Sequence, residues 1–289
     1  MINQIVITDA LLAYEGQLVL NPALAQYEKG LLAMKQKWFK SESYTPLSWY
    51  ASLLNFKPST LLAICAENLP KESKQYWVAS PYHAKLTRSD IRVMPDGMLD
   101  WSVKDAEKIC DLLNPLLVVE GMKLIQVGEA LLLTCDRVWD VFPLSFASIS
   151  GSVLPNRQPD GKDAGAWMRL LSEIQMTLHQ SALSSVSGLY YHGLWFWGGA
   201  PELTGVDTTA LPHVATNSVY LNSILRHLNK ETDASVIVTE ADQLQMLMNA
   251  NGTLPKKWVL LGAGKSVELT SSVIIACLAK VWSQGWKGV

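Results

Sequence analysis

Histidine is the side chain best suited to proton transfer or metal binding near neutral pH. The chain has five: His83, His179, His192, His213 and His227. None forms HxH, HxxxH or a His-Asp pair. His192 has the most suggestive position, because it lies in the aromatic run Leu189 to Trp197, just ahead of Gly198 and Gly199. Ligands of open α/β sheets favour the carboxyl ends of strands. Asp9 is placed in the same way after the apolar stretch Ile2 to Thr8, although a lone carboxylate there more often caps a helix than holds a metal. The string Leu261 to Ser266, LGAGKS, follows a strand-like run. A phosphate-cradling loop needs G-x-x-x-x-G-K-[ST], and the position for its first glycine is Val259. It reads instead as a Gly-rich exit from a strand. An anion would be held by Lys265 and the amides of residues 262 to 264. Ser184, Ser185 and Ser187 lack a G-x-S-x-G elbow. A two-metal site needs clustered carboxylates and imidazoles. Because the spacing supplies none, no catalytic residue, metal ligand or cofactor is assigned.

The elements that position these residues follow from periodicity. Asp163 is expected to cap a helix carrying Trp167, Leu170, Leu171, Ile174 and Leu178 on one face. The aromatic run after it is apolar on both alternating faces, as in a strand covered on both sides. A helix is expected from Asn21-Pro22 to about Gln36, and a second over Leu47 to Phe56. Residues 73–140 differ in texture. Strands are expected at Tyr76 to Ser80 and Asp90 to Met94. A helix follows, opened by Ser102 and Asp105 and stopped near Gly121. Met122 to Val127 and Ala130 to Cys135 then form a hairpin. Beyond Pro201 the pattern alternates: helix 217–228, strand 234–239, helix 241–249, strand 257–262, helix 270–283. That alternation implies an α/β fold, with a mostly parallel central sheet and helices on both faces. The expected division is a core domain of 1–72 and 141–289, with an inserted ββαββ subdomain at 73–140.

Composition narrows the classes further. The chain has 289 residues, 49% of them hydrophobic and 17% charged, enough to bury a sizeable core and against disorder. A net charge of −2 with mixed signs argues against a nucleic-acid partner, which would select a basic face. No apolar run reaches the length of a membrane span. The N-terminus has no basic n-region, so a signal peptide is not expected. Cys65, Cys110, Cys135 and Cys277 form no CxxC pair and read as buried free thiols in a reducing compartment, the cytoplasm. Eleven tryptophans serve packing. Trp38, Trp49, Trp282 and Trp286 could also serve an interface, including one between copies of the chain.

Four motifs in order carry a resemblance. LLSEIQMTLHQ followed by GLYYHGLWFWGGAP resembles the RpfE-type regulatory proteins of proteobacteria, with their "NEIQMLLH" helix and "SLWFWGGG" strand. YWVASPYHAKLTRSD, MPDGMLDWSVKDAEKICDLLN and PDGKDAGAW resemble the segments preceding them. The resemblance covers about residues 40 to 201. Matching positions are Pro81, His83, Asp163, Trp167, Glu173, Gln175, His179, Trp195, Trp197, Gly198 and Gly199. The Trp-x-Trp-Gly segment is also similar to one in archaeal-type cofactor-independent phosphoglycerate mutases, of the alkaline-phosphatase-like fold. That resemblance implies a central sheet with helices on both sides and a smaller inserted unit. It also implies a hydroxyl nucleophile and two metals, but the chain has no Asp-Gly-x-x-Asp near its first strand and no Gly-Asp-His. His192 stands where the regulatory pattern has Asn, and residues 181–184 replace its HPVN. The expectation is a degenerate mutase-like protein that binds a small ligand or protein partner; the alternative is a metal-dependent phosphoryl-transfer enzyme.

Overall fold

The computed structural model describes residues 4–14, 17–39, 46–53, 56–66, 68–94, 99, 101–128, 130–155, 157–181, 183, 188–201, 214–216, 236–245, 256–262 and 265–271. Packing divides the chain into two units, Met1–Leu54 with Thr208–Val289, and Asn55–Asp207.

The first unit is built on β1 (Gln4–Ile7), whose apolar run is buried. A hairpin of β2 (Leu11–Tyr14) and β3 (Gln17–Leu20) follows, then a 3-10 turn Pro22–Tyr27 and the short helix α1 (Glu28–Leu32). The single long helix expected through Gln36 does not form. Residues from Lys35 alternate exposed and half-buried, with Lys35 and Lys37 outward and Gln36 and Trp38 inward. That is the period of a strand rather than a helix. They make β4 (Lys35–Phe39), and α2 (Pro46–Leu53) comes next.

The second unit starts with α3 (Pro58–Cys65) and β5 (Gln75–Tyr82), followed by a small hairpin of β6 (Ala84–Leu86) and β7 (Ile91–Val93). The helix α4 (Val103–Leu117) is capped as expected by the Ser102 hydroxyl, which accepts from the Asp105 amide, and Gly121 ends this region at φ +70°. Burial alone would push the Asp105 carboxyl up. The Ser102 hydroxyl, Lys108 and Tyr191 outweigh that and hold it below the usual carboxylate range. Then come β8 (Met122–Val127) and β9 (Ala130–Cys135), the hairpin with the expected boundaries. After a single turn, α5 (Phe146–Ile149), the long helix α6 (Ala164–Ser181) leads to β10 (Gly193–Pro201).

The chain returns to the first unit with β11 (Val214–Thr216), β12 (Val236–Thr239), β13 (Lys257–Gly262) and β14 (Lys265–Thr270). The sheet order is β11-β12-β1-β13-β14-β4. The first four strands are parallel neighbours, while β14 and β4 add on antiparallel. The architecture is a mixed α/β one, and the expected mostly parallel sheet is realised in those four strands. The expected helices at 217–228 and 270–283 lie almost wholly outside the described residues. Ile5, Ile7, Ile237, Trp258, Leu260 and Val267 pack the core of this sheet.

The second unit's sheet, β10-β5-β9-β8, is wholly antiparallel. The aromatic strand was expected inside a layered sheet and instead lies at its edge. Leu194, Trp195, Phe196 and Trp197 are nevertheless all buried, because α3, α5 and α6 pack against β10. The α6 face is as expected: Trp167, Leu170, Leu171, Ile174 and Leu178 are all buried. The Asp163 carboxylate does not turn to its own helix; it accepts from the Asp140 amide at 2.8 Å and from Arg137 at 3.4 Å. Trp167 meets Trp77, Trp139 and Phe196 at ring separations of 4.9, 5.4 and 5.6 Å. Among the described residues no helix is long and apolar enough to cross a membrane. Trp167→Ala should lower the unfolding free energy by about 3–5 kcal/mol in urea titrations. A loss below about 1 kcal/mol would mean that the aromatic cluster does not carry this unit.

Candidate functional site

The residues nominated from sequence fall in both units. Asp9 and Lys265 belong to the first; His83, His179, His192, Trp195, Trp197, Gly198 and Gly199 belong to the second.

Asp9 sits just past β1, where the chain leaves the sheet. Its Oδ1 accepts from the Ala241 amide at 2.6 Å, and its Oδ2 accepts from the Asn21 side chain at 3.1 Å. The same Asn21 nitrogen donates to the Asp9 carbonyl, and the Asn21 oxygen caps Ala23. The carboxylate therefore ties the ends of β1 and β12 to the turn before α1. Lys265 opens β14 as the antiparallel partner of Gly262, so the LGAGKS string joins two paired strands rather than a strand and a helix. The alternation of Ser266, Val267, Glu268 and Leu269 is the mark of this further strand in the sequence.

The aromatic strand is held from outside through its own polar groups. The Trp195 indole donates to the Leu144 carbonyl and the Trp197 indole to the Ser80 hydroxyl, both at 2.8 Å. The Gly198 carbonyl accepts from the Ser59 hydroxyl at 2.5 Å, and the Gly199 carbonyl from the Lys57 ammonium at 3.0 Å. Gly198 adopts φ +66° where the pairing with β5 shifts, and a Cβ on Gly199 would enter the Trp77 ring. Gly198 and Gly199 thus form a bulge within the strand, not its exit. Ser59 and Lys57 had no sequence signal, since their partners are backbone atoms about 140 positions away.

Two of the histidines come together, while His213 and His227 lie outside the described residues. The rings of His83 and His192 lie 4.7 Å apart at 68°, and Nδ1 of each approaches the Tyr190 carbonyl, at 3.0 and 3.2 Å. The Ala84 amide donates to His192 Nδ1 at 3.2 Å. His179, exposed on the last turn of α6, acts on His192 through its charge. Burial first, then the neighbouring His83, pull the His192 pKa below the ordinary histidine value; the Tyr190 carbonyl works against them, and His179 adds to the fall. Behind the pair, Gln175 donates to the buried Tyr82 hydroxyl, whose pKa burial raises to about 12. These partners are legible only once β5 and β10 are paired.

Among the described residues, no group of three or more His, Cys, Asp or Glu side chains could hold a metal ion. The donor set that two metals would need does not fit what these residues present. Cys65, Cys110 and Cys135 are free thiols, with burial pushing Cys65 to about 12, Cys110 to about 11 and Cys135 up as well. Cys277 lies outside the described residues.

No protein-family model matches the chain, and no curated protein matches it. Among solved structures it is similar to the cofactor-independent phosphoglycerate mutase from Thermoplasma acidophilum DSM 1728. That similarity has 11% identity and a TM-score of 0.37, over 94% of this chain and 90% of the other. It is also similar to the PH0037 protein from Pyrococcus horikoshii, at 8% identity and a TM-score of 0.41, over 93% and 87% of the two chains.

Asp9→Ala removes two acceptors from donors that need them. It should cost about 1–2 kcal/mol of stability. Asp9→Asn keeps one acceptor and should cost less. Equal midpoints for both variants and the unaltered protein in urea unfolding would contradict the structural role.

Proposed function

We propose that the chain is a degenerate relative of the phosphoglycerate mutases that works by binding, as a cytoplasmic regulatory protein of the RpfE type. It would take a small ligand or a protein partner through the face bearing His83, His179 and His192. The observation that supports this most is how the nominated polar groups are used. Asp9 receives N–H donors on both oxygens, the Trp195 and Trp197 indoles donate within the unit, and the carbonyls of Gly198 and Gly199 are capped. Groups committed in this way hold a fold; they are not poised to exchange partners during a reaction. Phosphoryl transfer also needs cations or clamps against the developing charge, and Asp9, Trp195, Trp197, Gly198 and Gly199 offer neither.

A second reading, phosphoryl transfer of the phosphoglycerate mutase type, is favoured by one feature. Asp9 follows a strand flanked on both sides by parallel neighbours, the place where α/β sheets carry their ligands.

The two readings separate in one experiment. Purified protein is equilibrated with manganese or zinc, desalted and assayed for metal content and for interconversion of 3- and 2-phosphoglycerate. The binding reading predicts no turnover and no tightly retained pair of ions. Two retained ions per chain, or metal-dependent turnover, would establish the second reading.

A further inference from the structure

We propose that His83 and His192 form a proton-operated clamp, which fastens the Tyr190–His192 segment to the β5–β6 junction while His192 is neutral and loosens it when His192 takes up a proton. The clamp does not depend on the function proposed above.

The geometry carries this. Three contacts tie the segment to the junction: the His192 amide donates to the Tyr82 carbonyl at 2.9 Å, the Ala84 amide donates to His192 Nδ1, and His83 Nδ1 meets the Tyr190 carbonyl. An imidazole nitrogen accepts only when it carries no proton. The Ala84 bond therefore requires neutral His192 with its proton on Nε2, and the Tyr190 carbonyl is then left to a proton on His83 Nδ1. In the imidazolium both nitrogens are donors. Nδ1–H of His192 would face the Ala84 N–H, and that contact would turn from attraction to repulsion. Among the described residues its remaining acceptor is the Tyr190 carbonyl, 3.2 Å away and already engaged by His83. One oxygen would then serve two imidazole donors whose rings are 4.7 Å apart.

The charged surroundings do not rescue the protonated form. The titratable groups that act on His192 are His83 at the β5–β6 junction and His179 on α6; the Tyr82 hydroxyl is bonded to Gln175. On α4 the Asp105 carboxylate, which bonds the adjoining Tyr191, is engaged with Ser102 and Lys108 as well. The depressed pKa of His192 agrees with this arrangement and fixes the sign. Between the folded pKa and the ordinary value near 6.5, the unfolded chain binds more protons than the folded one. The clamp is thus intact above about pH 6.5, weakens as pH falls below it, and levels off below the folded pKa. Tyr190, 53% exposed, is carried on the clamped segment, so its presentation to a partner varies with pH.

The test is hydrogen exchange of the Ala84 amide in the full chain, corrected for intrinsic rates, at about pH 8 and about pH 5.5. Its protection should fall about fivefold or more at the lower pH, the worth of one hydrogen bond. His192→Asn places a non-titrating acceptor near the Nδ1 position, and should keep the protection while removing the pH step. Protection that is flat with pH in the unaltered protein, or a step that survives in His192→Asn, overturns the clamp. Should that variant fail to fold, nitrogen-15 spectra of the unaltered protein decide. His192 must carry its proton on Nε2 at about pH 8, and a proton on Nδ1 refutes the proposal.

Discussion

The Asn55–Asp207 unit depends on the packing of Trp167. Its ring meets Trp77 on β5, Trp139 in the segment after β9 and Phe196 on β10, so one side chain of α6 joins three stretches far apart in sequence. The indole N–H groups of Trp77, Trp139 and Trp167 are all buried with no hydrogen-bond acceptor among the described residues. Each unpaired donor costs about 1–3 kcal/mol, so the aromatic burial must outweigh them. The surroundings of Trp139 are braced further. The Gln75 side chain exchanges two hydrogen bonds with its backbone, and the Arg137 guanidinium lies 3.7 Å from its ring centre.

That requirement explains the sequence around the candidate site. Gly199 is needed because the Trp77 ring occupies the space a side chain would take. The bulge it shares with Gly198 turns two carbonyls outward, and Ser59 and Lys57 at the start of α3 satisfy them. A run that reads as a ligand-binding motif is thereby accounted for as the meeting point of a strand, a helix N-terminus and an aromatic core. The histidine pair lies at the other end of the same strand, where Gly193 pairs with Tyr82 and the packing gives way to solvent.

Much of the fold was legible where periodicity was uninterrupted. The α6 face, the β8–β9 hairpin, the Ser102 cap and the β13 strand all follow from local pattern. The misreadings have definite causes. Asn21-Pro22 does start a helix, but the Lys35, Lys37 and Trp38 alternation claims the residues after it for a sheet edge. Gly262 to Gly264 drew attention as an anion loop and hid β14. Asp163 looked like a cap, yet its carboxylate serves the Asp140 amide, a long-range partner that no local rule identifies. The candidate site was legible in part: His83 and His192 were both named, but their meeting at the Tyr190 carbonyl depends on the register of β10 on β5. Tyr82 carries no signal for the same reason, and Gln175 stands out only as a position of the family resemblance.

The account rests on the aromatic strand being structural, with its polar groups spent on the fold. The most direct measurement is hydrogen exchange at the indole nitrogens of Trp195 and Trp197, followed by NMR with and without phosphoglycerate and divalent metal. If the strand is structural, both indole protons exchange only as the unit unfolds, and neither resonance responds to the additions. Fast exchange in the native state, or a specific shift of either resonance on adding phosphoglycerate, would contradict the account and make this strand part of a working site.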